Sequence, residues 1–327
     1  LAVDLNEPQG VDIILKLARR ADVVVESFRP GSLEKRGLGF DDLIKENEGL
    51  IYCSLSGFGN KGPLREYPGY DPLLQAYTGI MNMTGEEDGN PVRIPISLID
   101  MGAGLWAAIG VLSALITRQS TGVGCRVETS LFETAAWWLN IQIAAYLATG
   151  ISPPRLGTGT PFIAPYEVFP TADEGLFVGV ANDNNFKKFV DAIQIPELAT
   201  DERFATNPLR VKHRVELRQQ ISKRFRTRTA SEWEKQLKAQ SIPCGRIRTV
   251  ADLLKEDQVD ALGLLTAFPH PSIPDLRLVD LPVSLDGTRA SHQFPPPLLG
   301  EQTDGILSDL GYSKTDIGTL RENGVVA

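Results

Sequence analysis

The chain has 327 residues, 42% of them apolar, and a formal net charge of −8. That is enough for two domains or one large interrupted one, and the absence of any Lys/Arg cluster with interleaved aromatics argues against a nucleic-acid partner. Three distant cysteines (Cys53, Cys125, Cys244) without a CxxC pair suggest neither a disulfide framework nor a zinc site, and fit a reducing compartment.

Leu1–Leu5 reads as a short apolar strand turned by Asn6, Glu7 and Pro8. It starts without Met and inside strand-like sequence, so further chain is expected before it, and cytoplasm or mitochondrial matrix both stay open. Gly10–Ala21 carries Val11, Ile14, Leu15 and Leu17 at helical spacing. Asp22–Glu26 is a β-branched strand, Ser27–Gly31 a loop at its end, and Leu50–Leu55 the next strand, with short helices between. Near-continuous apolar strands alternating with helices predict an α/β fold with a parallel sheet, which binds ligands at the C-terminal strand ends.

Gly57–Gly62 matches GxGxxG after a strand, but Pro63 and Pro68 follow where a phosphate-binding helix must open, so a dinucleotide site is disfavoured. Tyr70–Thr84 resumes helical spacing. The stretch Arg93–Thr117 then carries one carboxylate, Asp100, ahead of an uncharged run in which small and large residues alternate. A buried core helix is expected here rather than a membrane span. Asp100, at or just before its first turn, is either an N-cap or a carboxylate aimed into a cleft as a nucleophile. A tight turn at Gly122–Gly124, a strand at Cys125–Thr129 and an apolar helix over Leu131–Tyr146 follow, with Trp137 and Trp138 as core or interface.

From Ser152 the composition shifts to Gly, Pro and Thr, and a second, smaller α+β unit begins. Tyr166–Phe169 and Leu176–Val180 are expected as antiparallel strands, with helices at Asn184–Ile193, Leu209–Phe225, Ser231–Gln240 and from Thr249. Short strands beyond Leu262 and a helix at Thr303–Leu310 close the chain.

His213, His270 and His292 have no mutual ligand spacing, and neither GxSxG nor GxxxxGK[ST] occurs. What remains is the Asp100 carboxylate and a strand-end loop bearing Arg29, with Lys35 and Arg36 nearby. These cations suit an anionic, phosphate-bearing cosubstrate, or are simply solvated charges near a helix start.

Several segments, in order along nearly the whole chain, give a specific resemblance. They are ADVVVESFRPGSLEKRGLGF at Ala21–Phe40, LIYCSLSGFGNKGP at Leu50–Pro63, PGYD at Pro68–Asp71, the Asp100 segment, TGVG at Thr121–Gly124 and PPPLLGEQT at Pro295–Thr303. The chain resembles the class III CoA-transferases, which include formyl-CoA transferase, carnitine CoA-transferase and α-methylacyl-CoA racemase. RLGTGTPFIAPYEVF at Arg155–Phe169 and NPLRVKHR at Asn207–Arg214 are most similar to the succinyl-CoA:glutarate type.

The resemblance implies a Rossmann-like large domain over 1–155, a small α+β domain over 156–262, and a return to the large domain over 263–327. It implies two chains threaded as an interlocked homodimer, with no metal, nucleic acid or membrane as partner. It makes Asp100 the nucleophile and CoA thioester a cosubstrate, with no other cofactor. Ser27, Phe28, Arg29, Lys35, Arg36 and Tyr70 become CoA contacts, although the family's N-terminal CoA contacts lie outside this chain. Gly102 and Gly104 are candidate oxyanion donors, and Arg93 is a candidate partner for a second substrate carboxylate or a plain surface residue.

The implied activity moves CoA from an acyl-CoA such as succinyl-CoA to a carboxylic acid, through an aspartyl-acyl anhydride and an aspartyl-CoA thioester. The alternatives are an acyl-CoA racemase or epimerase, and a non-catalytic CoA-binding subunit. Two departures bear on the choice. Thirty residues before Asp100 the racemase has a histidine where this chain has Tyr70, a poor base at neutral pH. The formyl-CoA enzyme's glycine run has no match beyond Leu156–Pro161.

Overall fold

Three parallel strands, β1 (Val23–Glu26), β2 (Ile51–Ser56) and β3 (Arg126–Ser130), lie side by side in the order β1-β2-β3 in the computed structural model, which describes residues 1–327. Val25 is in register with Cys53, and Cys53 with Val127. The middle strand β2 is buried along nearly its whole length, which is why its sequence is an apolar run without alternation. Burial pushes the Cys53 thiol up, so it is an inert core residue.

The chain divides into two compact units, Leu1–Met83 with Pro91–Pro153 and Gln293–Ala327, and Thr84–Asn90 with Pro154–His292. In the first, helices α1 (Pro8–Ala18) and α2 (Phe40–Glu46) pack with the sheet through Ala18, Leu43, Leu50 and Tyr52. The expected strand at Leu1–Leu5 is a single bridge, Val3 to Val326, because its partner is the chain's own tail rather than a sheet edge. The expected helix Tyr70–Thr84 is two, α3 (Asp71–Thr78) and α4 (Ile80–Met83), parted at Gly79 with φ of 93°. Gly57–Gly62 is a turn-rich loop and no helix opens until Asp71, as the prolines predict.

Helix α5 (Leu98–Thr121) is the long element of this unit and ends at Gly122, whose φ is 72°. Its small residues form one face. A methyl at Gly102 would lie 2.9 Å from Trp138 and Thr134, and one at Gly110 would lie 2.6 Å from Val127, so only glycine permits this approach to the next helix and strand. Its large residues form another face, and Met101, Leu105, Ile109, Leu112 and Ile116 are 52% to 69% exposed. By length and apolarity it is the one helix able to cross a membrane. The expected single helix over Leu131–Tyr146 is α6 (Leu131–Trp138) and α7 (Asn140–Thr149), broken at Leu139. Two last helices, Thr303–Asp309 and Lys314–Glu322, complete the unit; the second, opened by a Ser313–Asp316 capping box, was not anticipated from the sequence.

The second unit is an antiparallel sheet of β4 (Tyr166–Pro170), β5 (Gly175–Gly179) and β6 (Cys244–Arg246), with helices α8 (Asp183–Ala192), α9 (Asn207–Lys212), α10 (Arg214–Phe225) and α11 (Ala230–Ala239). Its core is aromatic, with Phe169, Phe186, Phe189, Phe204, Phe225 and Trp233 buried together. The expected helix Leu209–Phe225 is interrupted at His213. Residues 263–292, expected with the first unit, group with the second; they are tied there by Leu264 N–H to Val259 O, Asp280 N–H to Leu264 O and Arg289 to Leu262 O.

Candidate active site

Helix α5 begins without help from its own N-cap, since the Ser97 side chain makes no capping bond. The cap comes from α3. Asp71, only 3% exposed, accepts hydrogen bonds at Oδ2 from the backbone N–H of Ile99 (2.6 Å) and of Asp100 (3.3 Å). Its Oδ1 accepts from Gln75 Nε2 at 2.7 Å. Gln75 is fully buried and also binds Ile94, accepting its N–H at 2.8 Å and donating to its carbonyl at 3.1 Å. One buried pair on α3 thus holds the stretch from Ile94 to Asp100 at both ends.

Asp100 is the third residue of α5, and it is exposed. Of its two expected roles, the cap is taken by Asp71, which leaves the Asp100 carboxylate turned to solvent. Partial burial of the carboxyl, then the nearby Asp71 carboxylate, push the Asp100 pKa above its ordinary value, while a hydrogen bond from Ser97 pulls it down. Such a group is more basic than a free aspartate, which suits a nucleophile.

Gly102 and Gly104 lie in the second turn, where helix geometry commits each N–H to the carbonyl four residues back. Those amides are not offered to a substrate, and Gly102 serves packing instead. Tyr70 is 70% exposed and directly precedes Asp71 at the start of α3, so it stands at the same end of the unit as Asp100. Arg93 is exposed and precedes the clamped Ile94.

The loop after β1 carries the other candidates. Ser27, Phe28 and Arg29 are exposed, and Phe28 N–H donates to Glu26 Oε2 at 2.8 Å. Arg29 lines a cavity of about 90 Å³ with Glu26, Tyr52, Arg126 and Glu128, against one face of the sheet. The charges there are mixed, and burial followed by Glu26 pushes the Tyr52 phenol up. Lys35 is exposed. Arg36 is not a free cation for a ligand: it donates to Leu5 O, Ser32 O and Asn6 Oδ1 at 2.8 to 3.1 Å, tying its own segment to the turn before α1.

In the second unit the RLGTGTPFIAP segment is fixed by the NPLR segment. Asn207 accepts from Ala164 N–H and donates to Phe162 O, and the fully buried Arg210 donates to Ala164 O, Phe204 O and Asp183. Glu167 pairs with Arg218 at 2.5 Å, yet burial outweighs that cation and pushes the carboxyl up.

Residues 1–303 match the model of CoA-transferase family III. The chain belongs to that family.

Similarity to individual members of CoA-transferase family III agrees. The chain is 37% identical to an acyl-CoA transferase of Fusarium pseudograminearum over 328 residues, covering 100% of this chain and 72% of that one. It is 35% identical to human succinyl-CoA:glutarate CoA-transferase over 327 residues, covering 100% and 75%. A crystal structure of a CAIB/BAIF family protein from Brucella suis superposes with a TM-score of 0.83 at 35% identity, covering 94% of this chain and 80% of that one. The mixed α/β fold is that of the CAIB/BAIF structures.

For a CoA-transferase family III chain, the residue that sequence reasoning passed over is Asp71. It was noticed only as the end of PGYD. The available signal was Asp71 with Gln75, two polar residues four apart in the first turns of DPLLQAYT, the spacing of a shared helix face.

Proposed function

We propose that this chain transfers CoA from an acyl-CoA to a carboxylic acid, with Asp100 as the covalent nucleophile. The observation that carries it is a solvent-facing carboxylate at the start of α5, relieved of capping by Asp71 and more basic than a free aspartate. An Asp100 oxygen attacks the donor thioester carbonyl, the C–S bond breaks, and CoA thiolate leaves an aspartyl-acyl anhydride. The thiolate attacks the aspartyl carbonyl, forming aspartyl-CoA thioester and expelling the donor acid. The acceptor carboxylate attacks in turn, and the same two steps run backward. No thioester bond energy is lost to water, because each step passes the acyl group to another held nucleophile.

Short dicarboxylates fit best as the acids. Relatives at 34% to 36% identity are named succinate–glutarate CoA-transferase, from Agrobacterium fabrum, and succinyl-CoA–D-citramalate CoA-transferase, from Chloroflexus aurantiacus. Arg93, exposed and on the segment that Gln75 clamps, is the residue proposed to meet the second carboxylate. Ser27, Phe28, Arg29 and Lys35, with Tyr70, are proposed to contact CoA, and the three-stranded parallel sheet to be part of a Rossmann-like layout. The apolar face of α5 is proposed to be covered by a second copy in an interlocked homodimer, since Met101, Leu105, Ile109, Leu112 and Ile116 form a stripe too large for a free surface.

The test is to incubate the protein with succinyl-CoA, quench with hydroxylamine and map adducts by peptide mass spectrometry. A hydroxamate on Asp100 is the expected result. No adduct with any acyl-CoA, together with exchange of the α-hydrogen in deuterated water, would instead make the chain a racemase.

A further inference from the structure

A carboxylate on the third residue of a helix ordinarily has the positive end of that helix to itself. Here another carboxylate occupies it. Asp71 fills the N–H groups of Ile99 and Asp100, is buried, and has amides as its hydrogen-bond partners and no cation. Gln75 fixes its orientation and is itself fixed by two bonds to Ile94. Asp71 therefore has no freedom to turn away from Asp100.

We propose that Asp71, held by Gln75, is the positioning residue of the nucleophile: it sets the first turn of α5 and, as a neighbouring anion, favours the acylated states of Asp100 over the free carboxylate. The inference rests on Asp100 being the nucleophile. When Asp100 attacks, its negative charge leaves with the thiolate, and later with the donor carboxylate, so both covalent states are neutral at this side chain. Each removes a like-charge repulsion that the resting state carries. A ground state raised in this way shortens the climb to acylation without binding the substrate any tighter.

Two groups act on the Asp100 carboxyl: Asp71 from α3, whose charge raises its pKa, and Ser97 from the start of α5, whose hydrogen bond lowers it. Asp71 is thus the charge that moves the Asp100 titration, after burial.

The experiment compares wild type, Asp71→Asn and Gln75→Leu in transfer from succinyl-CoA to glutarate. Two quantities are read, the acid limb of kcat/KM against pH and the steady-state fraction of Asp100 trapped as hydroxamate. Asp71→Asn is expected to shift the limb to lower pH and to cut the trapped fraction several-fold. Gln75→Leu, which loosens the turn and leaves the charge, is expected to lower kcat with the limb in place. A folded Asp71→Asn protein with both readouts unchanged, beside a wild type that traps on Asp100, overturns the inference and leaves the transferase reading standing. If Asp71→Asn does not fold, Asp71→Ser, a smaller neutral cap, takes its place with the same two readouts: a limb shifted to lower pH with less trapped Asp100 supports the inference, and both unchanged overturns it. No trapped Asp100 in the wild type removes the transferase reading and this inference together.

Discussion

Gly102 on α5 and Trp138 on α6 meet with no room for a side chain between them: a methyl on Gly102 would come within 2.9 Å of the indole Cζ2 and Nε1. The contact lies two residues beyond Asp100, about half a turn on. Gly102→Ala is expected to destabilise the fold by about 1–3 kcal/mol, the usual cost of overpacking. It should also reduce transfer, because the first turn must shift to make space. Adding Trp138→Phe, which removes two of the three obstructing atoms and leaves the Thr134 methyl, is expected to restore part of both, read by thermal denaturation and initial rates.

Asp100→Asn should abolish transfer, by about a thousandfold or more, as loss of a covalent nucleophile does. Stability should move the other way or not at all. The carboxyl is held above its ordinary pKa by burial and by Asp71, so its ionised form is a burden on the folded state at neutral pH. A melting temperature at or above that of wild type is the expected outcome, and a clear fall would contradict the assignment of Asp71 as a repelling neighbour.

Glu167 gives a pH signature in the second unit. Burial raises its pKa despite Arg218 beside it. A carboxyl that holds its proton more tightly folded than unfolded adds stability below its unfolded pKa, and that stability is lost as pH rises through the folded one. Wild type should therefore lose stability, from this group, as pH rises from ordinary carboxylate values toward neutral. Glu167→Gln should lack that component of the slope in urea denaturation series across pH.

Arg210 is the buried cation of the NPLR segment, bonded through three of its nitrogens. Lysine cannot reproduce that fork, so Arg210→Lys leaves carbonyls unpaired in the aromatic core. A loss of about 3–5 kcal/mol is expected, as for breaking a buried charge network. Limited proteolysis should show new cleavage between residues 155 and 165, the segment this arginine fastens.

The exposed stripe on α5 predicts assembly. Wild type is expected to sediment as a dimer, and Leu105→Lys with Leu112→Lys to yield monomer or aggregate in sedimentation velocity. A monomeric wild type with full activity would remove the interlocked arrangement from consideration.

What was legible in the sequence was whatever a local pattern encodes. The three strands of the first sheet appear within a residue of their expected spans, and the Asp100 helix begins and ends near its signals, the carboxylate and Gly122. What was not legible depended on distant partners. Asp71 caps a helix whose start is 27 residues away, and no cap signature spans that interval. Arg36 looked like a free cation because Leu5 and Asn6, which it binds, stand at the far end of another helix. The break at Leu139 lies between Trp138 and Asn140, where neither Gly nor Pro marks a helix stop.

The tail closes on the opening residues. Val326 bridges Val3, Asp4 N–H donates to Val325 O, and Ile13 shares a core with Leu307 and Val325. The aromatic core of the second unit, by contrast, is drawn entirely from Ala164 to Ile242. During synthesis that core is free to consolidate while the remaining residues are still emerging. The first unit must wait for Val325 and Val326, so its α1 face stays open until they have emerged, the interval in which chaperone capture and misassembly compete with folding.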